Sequence, residues 1–61
     1  MATLKDIRIA RGLTQHDVAN IIGSYASVVS NYEAGNTLPD LENMVILENH
    51  FQTRIEWPEP L

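Results

Sequence analysis

The sequence predicts an all-α fold, and three observations carry that prediction. Apolar residues recur at helical spacing, as in Val18, Ala19 and Ile22, and again in Leu41, Met44, Val45, Leu47 and Phe51. Helix-capping residues and glycines bracket those runs: Thr3, Thr14 and Asp40 stand where helices should begin, and Gly12, Gly23 and Gly35 where they should end. No stretch alternates apolar and polar residues with the period of two that a half-buried strand needs. The 61 residues allow a single domain, residues 1–61, with its core in 3–57 and a short proline-containing tail over 57–61. A chain this short buries only about 60% of its unfolded surface, so little stability is held in reserve and dimerisation is the simplest supplement.

The first helix is expected from Thr3 to Ala10 or Arg11, capped by Thr3 and stopped by Gly12, with Leu4, Ile7 and Ala10 facing inward. The second opens at Thr14, whose hydroxyl can accept an orphan backbone N–H, with Asp17 close to the positive end of the helix dipole. Val18, Ala19 and Ile22 share its inner side, and Gln15, His16 and Asn20 lie outside. Gly23 ends it, because a residue without Cβ accepts the left-handed conformation of a helix terminus. A third helix restarts almost at once. Val29 and Tyr32 point back toward the second, and Ala26, Ser27, Ser30 and Asn31 form an outward face of short, uncharged side chains suited to close approach.

Ala34 to Pro39 is predicted as a loop, since Gly35 terminates a helix and Pro39 forbids its continuation. Asp40 then caps a fourth helix with Leu41, Met44, Val45, Leu47 and Phe51 on its apolar side. Ile55, past a turn at Gln52-Thr53-Arg54, closes the core. Trp57-Pro58-Glu59-Pro60-Leu61 cannot be helical, because its prolines remove donors and fix φ.

The net charge of −4 is unevenly spread. Lys5, Arg8 and Arg11 balance Asp6, Asp17 and Glu33 in the first 39 residues, whereas Arg54 stands alone against Asp40, Glu42, Glu48, Glu56 and Glu59 in the remainder. The acidity is therefore C-terminal. The lack of cysteine excludes a disulfide framework and fits a reducing compartment. Lys5, Asp6 and Arg8 interrupt the N-terminus before an apolar run develops, so no signal peptide or membrane span is expected and the location expected is the cytoplasm. His16 and His50 have no companion at metal spacing, and Glu42, Glu48, Glu56 and Glu59 read as a solvated face. No catalytic residue, metal or cofactor is expected, and the chain does not read as an enzyme.

The series Leu4, Arg8, Gly12-Leu13-Thr14-Gln15, Val18-Ala19, Ile22-Gly23, Val29-Ser30-Asn31-Tyr32-Glu33-Ala34-Gly35, Pro39 and Leu41 resembles the phage-repressor (Cro/cI, Xre-type) helix-turn-helix family, from about Leu4 to Ile55 without a gap. The resemblance implies a compact bundle of four or five helices. It also implies that the second and third helices form the helix-turn-helix of a sequence-specific transcriptional regulator, a repressor that binds a pseudo-palindromic operator as a homodimer in the bacterial or phage nucleoid. In such proteins the third helix lies in the major groove and the second crosses the phosphate backbone.

By that resemblance Ala26, Ser27, Val28, Ser30 and Asn31 contact bases. Asn31 is the strongest candidate, because an amide can engage adenine N6 and N7 together. Gln15, Tyr25, Asn36, Thr37 and Arg11 are the implied phosphate contacts, and Arg8 with Glu33 an implied structural ion pair. Two departures from the family stand out. The loop after the third helix lacks the Lys or Arg common there, and Ser24-Tyr25 replaces an apolar residue followed by Ser or Thr. The cap is therefore expected to shift to Ser24, leaving Tyr25 to face the DNA backbone or to pack on the second helix. Ile9, Ile21 and Ile46 stand where relatives carry polar residues. The homodimer contact is placed on Ile46, His50, Trp57 and Leu61, against the alternative that Trp57 folds back over Phe51. The acidic C-terminal half also admits a second reading, a protein-binding module of anti-repressor, antitoxin-like or accessory type with weak or no DNA binding.

Overall fold

Three of the four helices begin on a local hydrogen bond that their first residues make by themselves. Thr3 and Thr14 are extended residues whose hydroxyls accept the N–H of Asp6 at 3.2 Å and of Asp17 at 3.0 Å. The two aspartates return the bond, accepting the backbone N–H of Thr3 at 3.2 Å and of Thr14 at 2.9 Å. Each is a reciprocal capping box. Asp40 caps in the simpler way, its Oδ1 accepting the Asn43 N–H at 2.9 Å. The computed structural model describes residues 2–58, and these caps open α1 (Leu4–Ala10), α2 (Gln15–Ile21) and α4 (Leu41–Phe51), with α3 (Ala26–Ala34) between the last two. Four helices stand at the lower end of the range that the resemblance implies.

The expected shift of the α3 cap to Ser24 does not occur. Tyr25 is the capping residue and its side chain makes no capping bond. Ser24 is already engaged: its N–H donates to Ala19 O at 2.9 Å and that of Gly23 to Asn20 O at 3.4 Å, the bond pattern that closes a helix around a left-handed residue. Gly23 supplies that residue at φ 63° and Gly35, at φ 79°, repeats the device at the end of α3.

Leu4, Ile7, Val18, Ala19, Val29, Tyr32, Leu47, Phe51 and Ile55 form the buried core, with Ala2, Leu13, Ile21, Ile22, Val28 and Trp57 packed around it. Three inward assignments are corrected. Ala10 is exposed at the last turn of α1. Leu41 and Val45 are 76% and 47% exposed, because the five apolar residues of α4 span a wider arc than the stripe of Leu47 and Phe51 that meets the core.

The chain beyond α4 returns to its own N-terminus. Ile55 enters the core, and the Glu56 N–H donates to Ala2 O at 2.9 Å, making an isolated parallel bridge between Thr3 and Glu56. Glu48 Oε2 accepts the Ile55 N–H at 3.0 Å and so anchors this return, rather than belonging to a purely solvated face. Arg11 Nη2 donates to Phe51 O at 2.8 Å while its guanidinium lies 5.1 Å from the Phe51 ring centroid. One arginine thus satisfies an orphan carbonyl at the negative end of α4 and stacks on its last aromatic. No helix among the described residues is long and apolar enough to cross a membrane.

The α2 cap makes a testable pH signature. The backbone N–H of Thr14, then its side chain, with the charge of His16 adding to them, hold the Asp17 carboxyl below the ordinary carboxylate range. Its folded pKa being the lower one, its contribution to stability is fully present above the unfolded value of about 3.9 and disappears as pH falls through the folded one. A carbon-detected NMR titration should place the Asp17 midpoint below that of a free aspartate, and Thr14→Ala, which removes the hydroxyl and keeps the backbone N–H, should raise it only part of the way. A wild-type midpoint in the ordinary range would remove the assignment.

Candidate functional site

The exposed site is the corner where α2 turns into α3. Val18 and Ala19 on one helix and Val29 and Tyr32 on the other are buried in the shared core, which locks the angle between them. On the opposite side of α3, Ser27, Ser30 and Asn31 are exposed, at spacings of three and four that put them on one face. Ala26 is half-buried at its edge. Val28 is turned toward the core and packs against it, so it is set back from that face. Tyr25, 78% exposed, stands at the N-terminal end of the face, and exposed Asn36 and Thr37 stand at its C-terminal end.

Glu33, at the end of α3, ties the corner to α1. Arg8 Nε donates to Glu33 Oε2 at 2.7 Å and Arg8 Nη2 to Glu33 Oε1 at 3.1 Å, a two-pronged pair whose side chains are 13% and 4% exposed. The hydrogen bonds that Arg8 donates to Glu33 raise the Arg8 pKa further, so the guanidinium stays cationic. Arg8 Nη1 also donates to Leu13 O at 3.0 Å. Gln15 completes the cluster: its Nε2 donates to Glu33 Oε1 at 3.1 Å, which holds the first residue of α2 half-buried instead of directed outward. Glu33 thereby joins α1, α2 and α3 through its two oxygens.

The electrostatic consequence is a corner whose nearby arginines are both engaged within the fold. Arg8 is consumed by Glu33, and Arg11, expected as a free cation beside the ligand face, is bound to the end of α4. Neither α3 nor the loop that follows it contains Lys or Arg. Lys5 lies on α1. Arg54 lies beyond α4, where with Glu48, Asn49, Gln52 and Thr53 it lines an open hollow. Among the described residues no group of three or more His, Asp or Glu side chains is arranged to hold a metal ion.

One contact of the site was missed by sequence reasoning. Asn36 Nδ2 donates to Asn31 Oδ1 at 3.2 Å. The Gly35 closure produces it, because this kind of helix end brings the residue after the left-handed one beside the residue five before it. Two asparagines so spaced around a glycine were the signal available.

Three of the four residues assigned to a dimer contact lie among the described residues. Ile46 is half-buried, Trp57 packs on the chain's own core, and Leu61 lies outside the described residues. His50 is exposed, with its ring edge-on to Phe51 at 5.1 Å between centroids. Among the described residues, Leu38 and, on α4, Leu41 and Val45 are large apolar side chains that stand exposed.

A protein-family model described as helix-turn-helix matches residues 4–57, which spans nearly the whole chain. No curated protein and no solved structure matches it.

Proposed function

The chain belongs to the Xre-type helix-turn-helix family of DNA-binding regulators, and on that premise we propose that it is a repressor that reads a pseudo-palindromic operator as a two-fold dimer. The observation that carries this reading is the exposed, uncharged face of Ser27, Ser30 and Asn31 on a helix locked at its far end by Glu33. Laid in the major groove, Asn31 would engage adenine, the two serine hydroxyls would donate or accept, and Ala26 would approach a thymine methyl. In this reading Tyr25 and Thr37, exposed at the two ends of the face, would meet phosphate oxygens, as would the remaining N–H of the half-buried Gln15.

Selection from random duplexes at low salt tests the proposal. It should enrich two half-sites about 10 base pairs apart, and Asn31→Ala should relax one position in each by about 1–3 kcal/mol. Affinity should fall only shallowly with salt, since so few cations are free to displace counterions. The engagement of Arg8 and Arg11 inside the fold is also the observation that favours the second reading, a protein-binding module on the same scaffold. No enriched duplex, together with co-purification of a stoichiometric protein partner, would select it.

A further inference from the structure

The amide pair at the end of α3 goes beyond helix closure. In most closures of this type the residue after the left-handed glycine makes an apolar contact with the helix residue beside it. Here both positions are asparagines, both are exposed, and they are bonded to one another side chain to side chain. The main chain already holds them together, because the Asn36 N–H donates to Asn31 O at 3.0 Å. The second bond adds little to a helix end that is closed without it. What it does is orient the Asn31 amide on the face proposed to meet DNA.

We propose that Asn36 is a positioning residue for base reading, and that its amide holds Asn31 in the orientation that matches adenine. This rests on the DNA-binding reading above. Asn36 Nδ2 occupies one lone pair of Asn31 Oδ1, which leaves the second lone pair and both Nδ2 hydrogens of Asn31 free. Nδ2 then donates to purine N7 and Oδ1 accepts from adenine N6, the pairing that distinguishes adenine from guanine, whose O6 would meet Oδ1 as acceptor against acceptor. If the Asn31 amide turned over alone, its NH2 would face that of Asn36, donor against donor. The bond thus holds the Asn31 side chain in one plane and one reach; of the two amide orientations, only the one with Oδ1 toward Asn36 Nδ2 pairs twice with adenine, and neither pairs twice with guanine, whose N7 and O6 both accept.

Two substitutions separate this role from a phosphate contact or a purely structural one. Asn36→Ala removes the donor, and Asn36→Asp keeps the shape while leaving only acceptors; neither touches the backbone bonds that close α3. Both variants should melt as cooperatively as the wild type. In parallel selections on random duplexes, the wild type should prefer adenine over guanine at one position per half-site. Both variants should lose roughly three- to tenfold of that preference at that position alone, the change expected from freeing one ordered side chain. An adenine-to-guanine ratio that moves in neither variant, even where the charge of Asn36→Asp lowers affinity for every sequence alike, would overturn the role of Asn36 and leave the DNA-binding reading intact. A wild type that enriches no duplex would overturn both.

Discussion

Replacing Glu33 with glutamine should cost about 3–5 kcal/mol of folding stability, the range for removing one partner of a buried ion pair. The Glu33 side chain is 4% exposed and receives Arg8 through two nitrogens and Gln15 through a third. The variant keeps the shape but leaves the Arg8 guanidinium largely out of water without a counter-charge, and it sets an amide N–H toward donors. A domain of 61 residues holds roughly 3–9 kcal/mol in total, so Glu33→Gln should be near or past its unfolding midpoint at room temperature. Urea denaturation followed by circular dichroism measures this directly. The double variant Arg8→Met with Glu33→Leu should recover most of the loss, because a well-packed apolar pair replaces a buried ionic one at little net cost. A loss below about 1 kcal/mol for the single variant would class the pair with ordinary surface bridges and sink the interpretation.

Phe51→Ala should be as damaging, at about 3–5 kcal/mol. The Phe51 ring is 2% exposed and packs in the core that also holds Leu4, Leu47 and Ile55, and the Arg11 guanidinium lies over it. Its removal opens a cavity where α1, α4 and the returning tail converge, and withdraws the surface on which Arg11 rests. The Phe51 carbonyl survives the substitution, so the hydrogen bond from Arg11 can persist and the loss reports the ring. Calorimetry should show no cooperative transition for Phe51→Ala, and proton NMR should show collapsed methyl dispersion. A transition within a few degrees of the wild type would mean that the tail and α4 hold together without the ring.

The two predictions concern residues of different legibility. Phe51 could be placed from α4 alone, as an apolar residue four positions from Leu47 and seven from Met44. Leu41 and Val45 satisfied the same periodicity and proved exposed, because periodicity marks the apolar arc of a helix but not how much of that arc a neighbour covers. The exposed face of Ser27, Ser30 and Asn31 was likewise legible from spacing. The set-back of Val28, the inward turn of Gln15 and the bond between Asn31 and Asn36 were not.

The sequence by itself determined where α1, α2 and α4 start and where α2 and α3 stop. The bonds of Thr3 with Asp6, of Thr14 with Asp17 and of Asp40 with Asn43 span three residues, and the left-handed turns at Gly23 and Gly35 belong to single positions, so each is decided within one turn of chain. Only the tertiary structure decided what the polar side chains do. Arg11 reaches the carbonyl of Phe51 across 40 positions and Gln15 reaches Glu33 across 18, while Glu48 finds its N–H at Ile55 once the tail has folded back. A charged or amide group can find equally good partners in water or in many neighbours, and the choice is made by which of those neighbours packing of the apolar core brings within 3 Å or so.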